Sequence, residues 1–153
     1  MLAQYREEAA RRAAAGVPPL PLGADQTREL TRLLTGGHPE QDTLLDLLAE
    51  RVEPGVSRAA EVKAAWLEQV AVGAVRVPGF TPEAAIAMLA HMGGGYNVAA
   101  LIRLLGNEQL APAAANGLRH LTKIYEAFDE VASLAEHNPA ARSVLESWAA
   151  AEW

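Results

Sequence analysis

Apolar residues recur along this chain at steps of three and four, the spacing of one buried face of an α-helix. Residues 2–15 read as a first helix, with Glu7/Arg11 and Glu8/Arg12 as i,i+4 pairs in the favourable order. Gly16 ends it. The following VPPLPLG (17–23) is extended, because Pro18, Pro19 and Pro21 lack N–H donors and cannot sit inside a helix. Asp25 is the expected N-cap of a helix whose apolar face is Leu30, Leu33 and Leu34. Gly36-Gly37 stops that helix, and Pro39 is expected in the first turn of the next, which carries Leu44, Leu47, Leu48 and Val52. After a turn at Pro54-Gly55, Ser57 caps a helix with Val62, Trp66 and Val70 stacked four apart, so Trp66 is expected to be buried.

Val70, Val72, Val75 and Val77 alternate as a strand would, but the alternation slips at Gly73, Pro78 follows at once, and no partner strand exists elsewhere. Thr81-Pro82-Glu83 is a helix start with cap, proline and first-turn acid, leading to Ile86, Leu89 and Ala90. Three glycines (93–95) end it. Asn97 is the expected cap of a short helix with Val98, Leu101, Ile102 and Leu105, closed by Gly106-Asn107. From Ala111-Pro112 a single long element is expected, with Leu118, Leu121, Tyr125, Phe128, Ala132 and Ala135 as its seam and a bend at Asn116-Gly117. His137-Asn138-Pro139 stops it and caps a last helix with Val144, Leu145, Trp148 and Ala151. The expectation is an all-α chain of about eight helices forming one domain over residues 1–153. Two helix–turn–helix units, Leu30 to Leu48 and Ile86 to Leu105, look alike, but the step from Leu44 to Leu101 exceeds the roughly 40–47 residues of a HEAT repeat. Stacked antiparallel helix pairs, a HEAT-like α-solenoid, are the expected architecture, with a compact orthogonal bundle as the competitor.

Composition narrows the chemistry. The 153 residues are alanine-rich, which favours helices that approach closely. There is no cysteine, so disulfides, thiolate metal ligation and a cysteine nucleophile are excluded within this chain. A net charge of −6 argues against a broad nucleic-acid footprint. No apolar run approaches the roughly 20 residues of a membrane helix. The charged start, MLAQYREEAARR, has no apolar signal region, and the expected location is cytoplasmic.

No constellation reads as catalytic or metal-binding. His38, His91, His120 and His137 lack the spacing of a metal-binding helix. The adjacent acids Glu7-Glu8 and Asp129-Glu130 diverge around their helices, and the serines lack a nucleophile-elbow setting. MGGGYN (92–97) admits three readings. One is an anion site at a helix start, disfavoured because no lysine and no phosphate-loop pattern accompany it. The second is a tight turn using positive φ. The third is a rim that docks a neighbour, with Tyr96 as aromatic anchor beside Gly94, Gly95 and Asn97. The closing SWAAAEW leaves Trp153 in helical rhythm, which reads as a junction with further chain; Trp153 is the other candidate contact.

Several segments, in order and spacing, resemble the amino-terminal part of bacterial aconitase B. They are the opening MLAQYREEAARRAAAGVPPLPL, LLDLLAERVEPGV with AAEVKAAWL, TPEAAIAML, GGYN, LAPAAA and SWAAAEW. The resemblance runs through the whole chain and departs most at 99–105 and 116–126. It implies a HEAT-like domain at the front of an aconitate hydratase whose catalytic residues and [4Fe–4S] cluster belong to later domains. No catalytic or cofactor residue carries over to this chain. It further implies contacts with the remaining domains near the active-site entrance, a protein-interaction surface, iron-sensitive dimerisation and messenger RNA binding. Stacked helices that leave broad faces free agree with the first two, and the acidic charge argues against RNA. A stand-alone interaction module and an RNA-binding regulatory domain are the alternatives.

Overall fold

The computed structural model describes residues 1–121, 124 and 127–151. Among these, nine helices and no strand are present: α1 (Leu2–Ala14), α2 (Ala24–Gly36), α3 (Gln41–Glu50), α4 (Arg58–Ala71), α5 (Pro82–Ala90), α6 (Tyr96–Leu105), α7 (Ala111–Arg119), α8 (Ala127–Ala135) and α9 (Pro139–Ala149). The all-helical expectation holds, and the 70–77 valines form no strand. Val77 and Phe80 make only an isolated bridge.

The helix starts follow local chemistry where a cap and a proline or acid coincide. The Ser57 hydroxyl accepts from the Ala60 amide at 3.1 Å, Thr81 accepts from Ala84 at 3.2 Å, and Asn138 accepts from Ala140 and Ala141. Elsewhere the local signal misleads. Gly23, not Asp25, caps α2, because Gln26 reaches back to the Gly23 amide at 2.9 Å, while Asp25 pairs with Arg28 inside the first turn. Pro39 precedes α3 rather than entering it. Glu8 pairs with Arg11, one residue closer than expected, and Arg12 instead donates to the Pro18 carbonyl at 2.6 Å, tying the extended 17–23 segment to α1.

The expected long element from Ala111 is two helices. α7 closes at its C-terminal end with Leu121 N–H donating to the Leu118 carbonyl at 3.1 Å, and Trp148 of α9 donates its indole N–H to the same oxygen at 3.0 Å. A carbonyl that a continuing helix would use internally is thus served from outside. Tyr125, part of the expected seam, lies outside the described residues. In α8 the buried residues are Val131 and Ala135, and Phe128 is half-exposed. Gly117 lies within α7. A methyl group there would sit 2.9 Å from the Ala90 side chain, so glycine lets α5 and α7 close together. Ala151 falls beyond the end of α9 and is exposed.

Buried apolar side chains from Leu2 to Trp148 form one cluster. Most of the apolar stripe residues expected for α2 to α6 point into it, including Leu30, Leu44, Leu48, Ile86, Leu89 and Leu101, whereas Val62 and Ala90 are half-buried and outside it. Trp66 is buried as expected. Its indole donates to the Thr35 hydroxyl at 3.0 Å and its ring stacks on Phe80 with centroids 6.1 Å apart. The extensive helix contacts join neighbours in chain order (α2·α3, α4·α5, α5·α6, α6·α7, α8·α9) or next-but-one helices (α2·α4, α4·α6, α5·α7, α6·α8, α7·α9). A bidentate Arg103–Glu68 pair, with bonds of 2.6 and 2.7 Å, links α6 to α4.

Candidate interaction surface

The three glycines after α5 adopt φ of 72°, 128° and 89°, conformations that side chains disfavour. They turn the chain so that Gly95 rests on the backbone of Gly55, in the turn between α3 and α4. The two form an isolated parallel bridge, and the Tyr96 amide faces the Gly55 carbonyl at 3.4 Å. A methyl group on Gly95 would lie 2.6 Å from the Gly55 carbonyl carbon and closer still to its oxygen. Positive φ, read from the sequence, is therefore half of the reason for glycine here. The other half is this close approach.

Asn97 does not cap α6; Gly95 does. Asn97 is fully buried and donates its amide to the Leu89 carbonyl at 2.8 Å, fastening the start of α6 to the end of α5. Of the first amides of α6, that of Tyr96 faces Gly55 and that of Val98 bonds the Gly95 carbonyl, so the turn presents no open cradle of donors to an anion. Gly94 is buried; Tyr96 is exposed.

The residues following the two bridged glycines, Val56 and Tyr96, are both solvent-facing, and Val56 at 78% is the most exposed large apolar side chain described. Arg58 is held by Glu61 at 2.7 Å. The Glu61 carboxylate raises the guanidinium pKa, and the Tyr96 hydroxyl adds to that effect. Trp153, the other candidate contact, lies outside the described residues.

Beside these turns opens a cleft of about 520 Å³, lined by Pro19 and Pro21 of the extended segment, Pro54, Glu53, Lys63 and His91 among others. Lys63 is buried, at 4% exposure, and donates to the Ala49 carbonyl at 3.1 Å, in the last turn of α3. Burial pushes its pKa down to about 8, against the opposing pull of Glu50. Sequence reasoning missed this residue. The signal was present: Ala59, Lys63, Trp66 and Val70 follow one another at helical spacing, which sets Lys63 on the buried stripe of α4.

His91 and His120 line one cleft between α5 and α7, with Glu83. His91 ends α5 with Nδ1 at 2.7 Å from the Ala87 carbonyl, His38 accepts from the Glu40 amide at 3.1 Å, and exposed His137 lies 3.8 Å from its neighbour Glu136. Among the described residues no group of three or more His, Asp or Glu side chains is placed to hold a metal ion, and no helix is long and apolar enough to cross a membrane.

Fold and surface together define an all-helical domain whose polar side chains serve caps, ion pairs and inter-turn contacts. The family described as the Aconitate B N-terminal domain matches residues 4–153. The chain is 45% identical to aconitate hydratase B of Escherichia coli K12, 44% to that of Pseudomonas aeruginosa and 36% to that of Helicobacter pylori. Each alignment covers 99–100% of this chain and 18% of the relative. The chain therefore belongs to the aconitase B amino-terminal domain family, and it spans less than a fifth of the length of these relatives.

Proposed function

We propose that residues 1–153 form the non-catalytic amino-terminal domain of a cytoplasmic aconitate hydratase B. In this reading the citrate–isocitrate chemistry and the [4Fe–4S] cluster belong to other domains of the longer enzyme. The present chain supplies shape: it contacts those domains and helps define the approach to their active site. Extensive contacts between neighbouring and next-but-one helices are what a two-layer, HEAT-like stack of helix pairs makes, and such stacks leave broad faces for partners. The observation that carries the reading is Val56, 78% exposed, standing with Tyr96 on two turns locked together through Gly55 and Gly95. An exposed apolar side chain on a rigid backbone is the form of an interface anchor, because little conformational freedom is lost on docking.

The test is complementation in trans. The remainder of the enzyme, made without this segment, is titrated with the 153-residue chain and binding is followed by calorimetry. Binding that weakens at least tenfold with Val56→Asp or Tyr96→Ala, with unchanged helicity, supports the reading. Binding indifferent to both substitutions removes this surface from it. Self-association of the chain abolished by the same substitutions makes the surface a homodimer contact instead. Turnover of citrate by the chain alone ends the non-catalytic assignment.

A further inference from the structure

Lys63 and Lys123 are the only lysines; the other eleven basic residues are arginines. An arginine keeps its proton under all ordinary conditions, whereas a lysine gives it up when desolvated. The chain thus places one of its two side-chain primary amines in the wall of a cleft, 4% exposed. There its nitrogen has, among the described residues, one hydrogen bond, to the Ala49 carbonyl at 3.1 Å. An ammonium has three protons to place and gains little from a site that satisfies one. A neutral amine places one there and keeps a lone pair. Three prolines give the cleft apolar walls, and Glu50 and Glu53 line it together with Arg51 and His91. These are the charged and titratable groups of the cleft, from the end of α3, the turn after it and the end of α5; α2 and α6 contribute none to its lining.

We propose that Lys63 is a covalent modification site for small uncharged carbonyl compounds, aldehydes above all, which enter this cleft and condense with its amine. The amine lone pair forms a C–N bond to the carbonyl carbon, and the carbonyl oxygen takes up the proton that nitrogen loses. The carbinolamine then expels water to give the imine, so amine and aldehyde yield imine and water with no oxidant or reductant. Size is limited by the burial of Lys63, and the two glutamates of the lining disfavour anionic reagents. An imine nitrogen carries no N–H, so the bond to Ala49 at the end of α3 is lost. The adjoining turn, which includes Gly55, loses part of its support. Modification here acts on the same turn that presents Val56.

The probe is formaldehyde with cyanoborohydride, which traps the imine as a methylated amine, read by peptide mass spectrometry of the 153-residue chain. With the Lys63 pKa near 8, about one amine in ten is neutral at pH 7, against about one in 3,000 for an unperturbed lysine. The expected result is methylation of Lys63 at pH 7 at least tenfold faster in the folded chain than in a synthetic peptide of residues 58–71 in the same buffer, with a rate that levels off above pH 8. Glu50→Gln removes the carboxylate that favours the charged form, so it raises the pH 7 rate further. Lys63→Arg abolishes labelling of that peptide while its circular dichroism reports whether the fold persists. Slower labelling in the folded chain, or a rate still climbing through pH 10, overturns the proposal.

Discussion

Gly95 lies against the carbonyl group of Gly55, so close that a single methyl group has no room between them. The contact joins the turn between α3 and α4 to the turn between α5 and α6. It fixes the position of Val56, in the first of these turns, relative to Tyr96, the first residue of α6. A site made of loops is ordinarily mobile. This one is backed by a backbone–backbone contact and by the buried Asn97 amide bonded to Leu89.

Gly95→Ala is therefore expected to cost more than backbone strain alone. A non-glycine residue at φ 89°, ψ −133° is in a region almost reserved for glycine and is disfavoured by about 1–3 kcal/mol, and the collision with Gly55 adds to this. Gly16→Ala is the control, since Gly16 has φ of 70° with nothing within 4 Å of the added carbon. Urea midpoints should place Gly95→Ala well below Gly16→Ala. Equal losses would mean that the Gly55 contact relaxes without cost.

The division between what sequence reading reached and what it did not follows the range of the forces. Ser57, Thr81 and Asn138 are legible because cap and helix are a few residues apart. The break between α7 and α8 is not, because the three-and-four spacing runs on across it and the group that takes the Leu118 carbonyl, Trp148, is far along the chain. The role of Gly95 is illegible for the same reason, since its partner Gly55 is distant in sequence. Lys63 was missed for a different one: a lysine among alanines and valines reads as solvent-facing unless its place on the stripe is counted.

Trp66→Ala removes a buried ring packed on Phe80 and a hydrogen bond to Thr35, and should cost about 3–5 kcal/mol. Trp66→Phe keeps most of the packing and loses the indole N–H, and should cost less, with about 1 kcal/mol for the bond. Denaturant unfolding at pH 7 checks both. An unchanged midpoint for the alanine variant would mean that α4 presents a different face to the core.

Trp148→Phe tests the division of α7 from α8. The Leu118 carbonyl would keep the Leu121 amide as partner and lose the indole, at about 0.5–1.5 kcal/mol. Because the bond holds the end of α7 specifically, amide exchange should accelerate there, around residues 118–121, before it does in α4. Uniform acceleration through the chain would instead mark Trp148 as a general core residue with no special hold on α7.

Lys63 gives the domain a pH dependence of definite sign. Its folded pKa, about 8, lies below the ordinary lysine value of 10.5. Between these values the unfolded chain binds the proton and the folded chain does not, so stability from this group rises with pH. The burial penalty is fully present below pH 8 and is relieved as pH rises from 8 toward 10.5. The full shift corresponds to an upper limit of about 3 kcal/mol, and the part accessible by pH 9.5 to about 2 kcal/mol. Lys63→Met keeps a similar length of apolar stem and has no proton to release. Urea unfolding at pH 7 and pH 9.5 should therefore show the native chain gaining on Lys63→Met by about that amount, whatever the offset between them at pH 7. A difference that stays constant across the two pH values would mean that Lys63 keeps its charge in the folded state. The cleft would then hold an ordinary helix-capping ammonium.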